Sequence, residues 1–97
     1  MLDQIQLMSV FVAVAEEQGF AAASRRLNMS PPTVTRAIAS LEDRLSVKLF
    51  NRTTRYVRVT DAGMRYLDDV KRILDDITLA NEAARGVNAA PQGRISV

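Results

Sequence analysis

The chain contains neither cysteine nor histidine. A disulfide framework is therefore impossible, and so are zinc sites of the Cys/His kind. Catalysis by a Ser-His-Asp triad or a Cys-His pair is excluded for the same reason. A magnesium or calcium site built from carboxylates alone stays open on composition. We therefore predict no cofactor and no metal.

Long apolar segments are also missing. The longest uninterrupted apolar run covers residues 10–15, whereas a membrane-spanning helix needs ~20 residues. The chain begins MLDQ, without the basic and apolar regions of a secretory signal. Its 97 residues are 47% hydrophobic and 25% charged, which is ordinary for a soluble globular domain. We expect a cytoplasmic protein that makes no membrane contact.

Charge is distributed unevenly along the chain. Residues 1–23 carry three acids and no base, residues 24–58 carry eight bases against two acids, and residues 59–97 carry five bases against six acids. The middle block therefore has a net charge of +6. A localised basic block is typical of a protein that binds a polyanion. The alternative is an ordinary solvated face with its neutralising acids elsewhere.

Helical periodicity predicts two helices before residue 28. Residues 3–17 carry one apolar stripe, with Asp3 as the N-cap. We expect Gly19 to end this helix in a left-handed conformation. Residues 20–27 are rich in alanine and predict a short second helix, which Asn28 ends as a left-handed C-cap.

A third helix is predicted over residues 31–45. Ser30 is its N-cap, and the two prolines that follow occupy the first turn, where no backbone donor is needed. The turn between the second and third helices is then only about three residues long. Two helices joined by so short a turn form a helix-turn-helix.

The periodicity changes after residue 46. Apolar and polar residues alternate on both sides of a basic segment, which predicts a two-stranded β-wing over about residues 49–59. Thr60 follows as the N-cap of a new helix. The predicted fold class is mostly α, a winged helix-turn-helix with a three-helix core over residues 1–60.

The last predicted element is a long helix over residues 61–86, which Gly86 ends. Five of its residues recur with heptad spacing: Leu67, Val70, Leu74, Ile77 and Asn81. This seam predicts a linker helix that forms a homodimer, with Asn81 setting the register. The alternative is a helix packed against its own domain. Residues 87–97 read as a hinge followed by the start of a further domain.

These elements imply a mode of binding. The second helix of a helix-turn-helix lies in the DNA major groove and reads base edges from its N-terminal end. The candidate DNA-binding residues on this helix are Ser30, Pro31, Pro32, Thr33, Thr35 and Arg36. Wing residues suited to phosphates or to the minor groove are Arg52, Thr53, Thr54 and Arg55. Either a guanine or a phosphate is a suitable partner for Arg36.

The same residues resemble the LysR-type transcriptional regulators of bacteria. The matching motifs span most of residues 3–64: FAAASRRL, MSPPTVTRAI, LE, VKLF, RT and VRVTDAG. The resemblance implies a dimer that binds an interrupted palindrome in double-stranded DNA, is associated with the nucleoid and can form a tetramer. It also implies an absent C-terminal domain of periplasmic-binding-protein type that binds a small-molecule effector. Pro31 stands where the family often has glutamine, and Ser46 where it often has glycine.

Three other functions deserve comparison. An enzyme would have to use Ser46 with Lys48, or the aspartates of the long helix. No base is placed to orient Ser46 and Lys48. The 68/72 and 71/75 spacings of the aspartates predict ordinary ion pairs. A protein-interaction module explains the heptad seam but not the basic block. Single-stranded nucleic acid would require exposed aromatics, and Tyr56 is the only obvious candidate. We therefore predict a DNA-binding protein without enzymatic activity.

Overall fold

The structure is a computed structural model, and it describes residues 2–53 and 57–86 of the chain. Its elements, in chain order, are α1 (Gln4–Glu17), α2 (Phe20–Leu27), α3 (Pro31–Leu45), β1 (Phe50–Arg52), β2 (Val57–Val59) and α4 (Asp61–Gly86). The predicted class is confirmed: three helices form the core, two short strands form the wing, and a long helix follows. The predicted hinge over residues 87–97 lies outside the described residues.

The start of α1 follows the prediction and its end does not. Asp3 accepts a hydrogen bond from the Gln6 N–H at 2.8 Å, and the Gln6 side chain accepts from the Asp3 N–H at 2.9 Å. The left-handed residue at the other end is Gln18, with a φ of 58°, so the prediction for Gly19 is wrong. Gly19 has an extended φ of 180° and serves instead as the N-cap of α2. Helical hydrogen bonding continues to the Gln18 N–H, so the chain reverses there.

The turn between α2 and α3 forms as predicted. Asn28 is left-handed with a φ of 58°, and the Met29 N–H donates to the Ser24 carbonyl at 3.0 Å. Ser30 Oγ accepts from the Thr33 N–H at 3.3 Å, and the prolines occupy the first two positions of α3. Local backbone chemistry thus sets the bounds of α3 that were predicted from the sequence.

The core lies between α1, α2, α3 and the first part of α4. Its fully buried large side chains are Val10, Phe11, Val14, Val34, Ile38, Leu41, Leu49 and Val70. The Phe11 ring lies near its centre, with centroids 5.3 Å from both the Phe50 ring of β1 and the Tyr66 ring of α4. These contacts join the wing and α4 to the helical core.

The wing and α4 meet at Thr60 and Gly63. The strands pair antiparallel, and Thr60 Oγ1 donates to the Lys48 carbonyl at 2.8 Å and accepts from the Gly63 N–H at 3.0 Å. A Cβ on Gly63 would lie 2.3 Å from the Leu49 carbonyl oxygen. Only glycine therefore allows α4 to approach the wing this closely.

The heptad seam predicted on α4 packs against the core of its own domain at its start and leaves that core further along the helix. Val70 is 0% exposed, and Leu67 and Leu74 pack partly buried against the same core. Val70 therefore packs into the core of its own domain, and its predicted contact with a partner helix stays a prediction. Ile77 is only partly covered and Asn81 is exposed. The alternative of a helix packed on its own domain holds for the first half of α4.

Ion pairs on α4 also differ from the prediction. Arg72 pairs with Asp69 at 3.1 Å rather than with Asp68, and Lys71 pairs with Glu16 of α1 at 3.1 Å rather than with Asp75. The Arg72–Asp69 pair is local, three residues apart on α4, whereas the Lys71–Glu16 pair is tertiary, since α1 packs beside α4 and brings Glu16 within reach of Lys71.

Candidate nucleic-acid interface

The recognition helix α3 has a buried face and an exposed face. Its buried residues are Val34, Ala37, Ile38 and Leu41, which recur at spacings of three, one and three. Pro31, Pro32, Thr35 and Arg36 are exposed, and Thr33 is half-buried. The core therefore fixes the rotation of α3 and leaves the predicted reading residues on the outside.

The hydroxyl groups at the start of α3 already have partners within the protein. Ser30 Oγ and Thr33 Oγ1 share a hydrogen bond at 2.7 Å, in addition to the cap bond between Ser30 Oγ and the Thr33 N–H. The prolines contribute no N–H groups.

Among the polar side chains in this first part of α3, Thr35 and Arg36 are exposed and make no hydrogen bond or ion pair within the described ranges.

A depression beside α3 brings in residues that sequence reasoning missed. It has a volume of about 590 Å³ and lies between α3 and the start of α1. Its lining residues are Leu2, Leu7, Thr33, Arg36, Ala37, Ser40 and Arg44. Ser40 and Arg44 continue the stripe of Thr33 and Arg36 at spacings of four, a signal that was present in the sequence. Arg44 Nη1 donates to Gln4 Oε1 at 2.6 Å, which ties this end of α3 to α1.

The wing holds Arg52 and Thr53 at its exposed edge. Arg52 pairs with Val57 in the strand ladder, and its guanidinium carbon lies 4.6 Å from the centroid of the Phe20 ring. Thr54 and Arg55, also predicted to bind DNA, lie outside the described residues. The structure therefore describes two of the four wing candidates.

The basic block is partly neutralised from within the fold. Arg26 pairs with Glu16 at 3.0 Å and with Glu17 at 3.2 Å, so two acids of α1 cover one arginine of α2. Hydrogen bonds from Lys71 and then Arg26 lower the pKa of the Glu16 carboxyl, and Glu16 raises the pKa of Arg26. The solvated-face alternative is correct for Arg26.

Five other cations of the block have no carboxylate partner among the described residues. Within residues 2–53 and 57–86, no carboxylate pairs with Arg25, Arg36, Arg44, Lys48 or Arg52. One of the two acids of the block, Glu42, is engaged elsewhere, since it accepts from the N–H groups of Leu49 at 2.8 Å and Phe50 at 3.2 Å. Glu42 thus joins α3 to the wing.

The residues considered for catalysis have structural roles. Ser46 ends α3 in a left-handed conformation with a φ of 55°, at the position where the family often has glycine. Among the described residues, no three acidic side chains cluster as a metal site would require. No described helix combines the length and apolar character needed to cross a membrane.

A three-helix core with a short β-wing and an outward-facing second helix of the helix-turn-helix defines the winged helix-turn-helix class. The sequence profile of the bacterial regulatory helix-turn-helix proteins of the lysR family matches residues 5–64. The chain belongs to this family, as the motifs of its first 63 residues predicted.

Individual relatives agree with this assignment. The transcriptional regulator TfdT of Cupriavidus pinatubonensis is 41% identical over 90 residues, which cover 93% of this chain and 38% of TfdT. The structure of full-length CbnR with its target DNA matches with a TM-score of 0.81 at 36% identity, over 87% of this chain and 29% of CbnR. The BenM DNA-binding domain on catB site 1 DNA matches with a TM-score of 0.85 at 26% identity, over 93% of this chain and 100% of that domain. The chain spans about a third of the length of the full-length relatives it matches.

Proposed function

We propose that the chain binds double-stranded DNA sequence-specifically, as the N-terminal domain of a dimeric bacterial transcriptional regulator. The observation that carries the proposal is the outward face of α3, where Thr35 and Arg36 are exposed on a helix whose other face is locked into the core. In this proposal α3 lies in the major groove and the wing lies on the backbone or the minor groove. The relatives CbnR and BenM, which have been solved with DNA, support it.

The proposed role of each side chain follows from its exposure and from the contacts that it already makes within the protein. Arg36 is placed to contact a base edge, and Thr35 to contact a base or a phosphate. Ser30 and Thr33 share a hydrogen bond and so contribute mainly by shaping the start of α3. Pro31 and Pro32 offer apolar surface without a donor. Arg52 and Thr53, with Thr54 and Arg55, are assigned to the wing contacts.

The proposed dimer uses the second half of α4. This helix has 26 residues and a length of about 39 Å at 1.5 Å per residue, so it extends well past Leu74, its last residue packed on the core. Ile77 and Asn81 continue the seam there. The other three seam residues then act from within the domain, where they hold the first half of α4 against the core: Leu67, Val70 and Leu74. A two-fold dimer of this kind would bind an interrupted palindrome.

The remaining proposals concern the longer protein that such relatives suggest. A small-molecule effector and a tetramer belong, in this proposal, to a further domain of periplasmic-binding-protein type. The site of action is the bacterial cytoplasm, in association with the nucleoid. No enzymatic activity is assigned to the chain.

Selection of duplexes from a random-sequence pool tests the proposal. We expect enrichment of a dyad with two half-sites separated by about one helical turn or a multiple of it. The Arg36→Ala variant, selected in parallel, serves as the control and should enrich the dyad less strongly. A pool that gains no common sequence after selection with the unmodified chain would contradict sequence-specific binding.

A further inference from the structure

Two arginines of the basic block are held in place by different kinds of partner. Arg26 lies between the carboxylates of Glu16 and Glu17, which neutralise it. Arg52 lies over the face of the Phe20 ring, with 4.6 Å between the guanidinium carbon and the ring centroid. An aromatic ring orients a guanidinium without cancelling its charge. Arg52 is therefore ordered but remains a full cation.

The Phe20 ring is itself fixed to the core. Phe20 is the first residue of α2 and is half-buried, and its ring packs edge-on against Phe50 with centroids 6.3 Å apart. The Phe50 ring lies 5.3 Å from that of Phe11, which is fully buried. A continuous series of aromatic contacts thus connects the guanidinium of Arg52 to the centre of the domain.

We propose that Phe20 is a positioning residue that holds Arg52 in place to bind a backbone phosphate of duplex DNA. The inference rests on the proposed function. Stacking occupies one face of the guanidinium and leaves its N–H donors at the edge, where a phosphate can accept two of them. Because the strand ladder fixes the backbone of Arg52 and the ring fixes its side chain, little conformational entropy remains to be lost on binding.

The test measures affinity for a duplex of random sequence as a function of salt, since phosphate contacts do not depend on sequence. Arg52→Ala should lower the slope of log affinity against log salt by about 0.9, the value for one phosphate contact. Phe20→Leu, which keeps an apolar side chain but removes the ring, should weaken binding by about two- to five-fold. Phe20→Tyr, which keeps the ring, should bind as the unmodified chain does.

The double variant separates positioning from a merely structural role. If Phe20 acts through Arg52, Phe20→Leu causes no further loss in the Arg52→Ala background. Equal losses in both backgrounds, or an unchanged salt slope in Arg52→Ala, would overturn the inference. If thermal unfolding shows that the Phe20→Leu variant does not fold, Phe20→Met replaces it in this double-mutant comparison. Failure of the unmodified chain to bind duplex DNA at low salt would instead refute the proposed function.

Discussion

At the scale of single residues, Arg36 is the exposed cation in the first part of α3. Arg36→Ala should weaken binding to the selected duplex by ~1–3 kcal/mol and leave binding to random duplex nearly unchanged, because a bidentate base contact is lost. Affinities for the two duplexes, measured at one salt concentration, check this. Arg36→Lys is the matched control, since it keeps the charge but not the planar fork. Equal losses on both duplexes would place Arg36 on a phosphate.

Gly63 permits the close contact between α4 and the wing. In Gly63→Ala the new Cβ would lie 2.3 Å from the Leu49 carbonyl oxygen and 2.5 Å from Val59 Cγ1, so the wing or α4 must shift. We expect a loss of ~1–3 kcal/mol in the free energy of unfolding, measured by urea denaturation. Gly86→Ala is the control, because no described residue comes within 4 Å of its added Cβ. Equal stability of the two variants would contradict the close approach.

At the scale of elements, α4 changes role along its length. Ile77→Asp should convert a dimer to a monomer in light scattering with little change in thermal stability, because Ile77 lies beyond the part of α4 that is packed on the core. Leu74→Asp should lower both the mass in light scattering and the thermal stability, since Leu74 packs against the core. Leu79→Asp is the control: Leu79 is 62% exposed and lies on the opposite side of the helix from Ile77. An unchanged mass for Ile77→Asp would exclude this seam as the dimer contact.

Elements with strong local signals could be predicted from the sequence. Ser30 with its two prolines and Asn28 set the turn between α2 and α3, because capping depends on residues that are close in sequence. The same reasoning failed at Gln18, where an ordinary residue adopts the left-handed conformation next to an available glycine. Helical hydrogen bonding continues to the Gln18 N–H, which donates to the Val14 carbonyl at 2.9 Å.

Features that depend on tertiary placement could not be predicted. The sequence does not reveal that Glu16 pairs with both Arg26 and Lys71, since the three residues lie on different helices. The stacking of Arg52 on Phe20 depends on how β1 lies beside α2. For the same reason, the sequence does not reveal that three of the five predicted seam residues of α4 pack against the core of their own domain. Periodicity identifies an apolar face but not the element that covers it.

At the scale of the whole molecule, the distribution of charge is what supports DNA binding. Acids of α1 neutralise Arg26, while Arg36, Arg44 and Arg52 remain without carboxylate partners among the described residues. A net charge of +2 therefore understates the positive charge available to a polyanion.

The most direct test of DNA binding is a salt titration of the affinity for random and selected duplexes. We predict that log affinity falls steeply with log salt for both, by about 0.9 per phosphate contact, and that the selected duplex binds more tightly at every salt concentration. Binding that does not depend on salt, or no binding to either duplex at low salt, would contradict the claim that the basic face of this domain binds DNA.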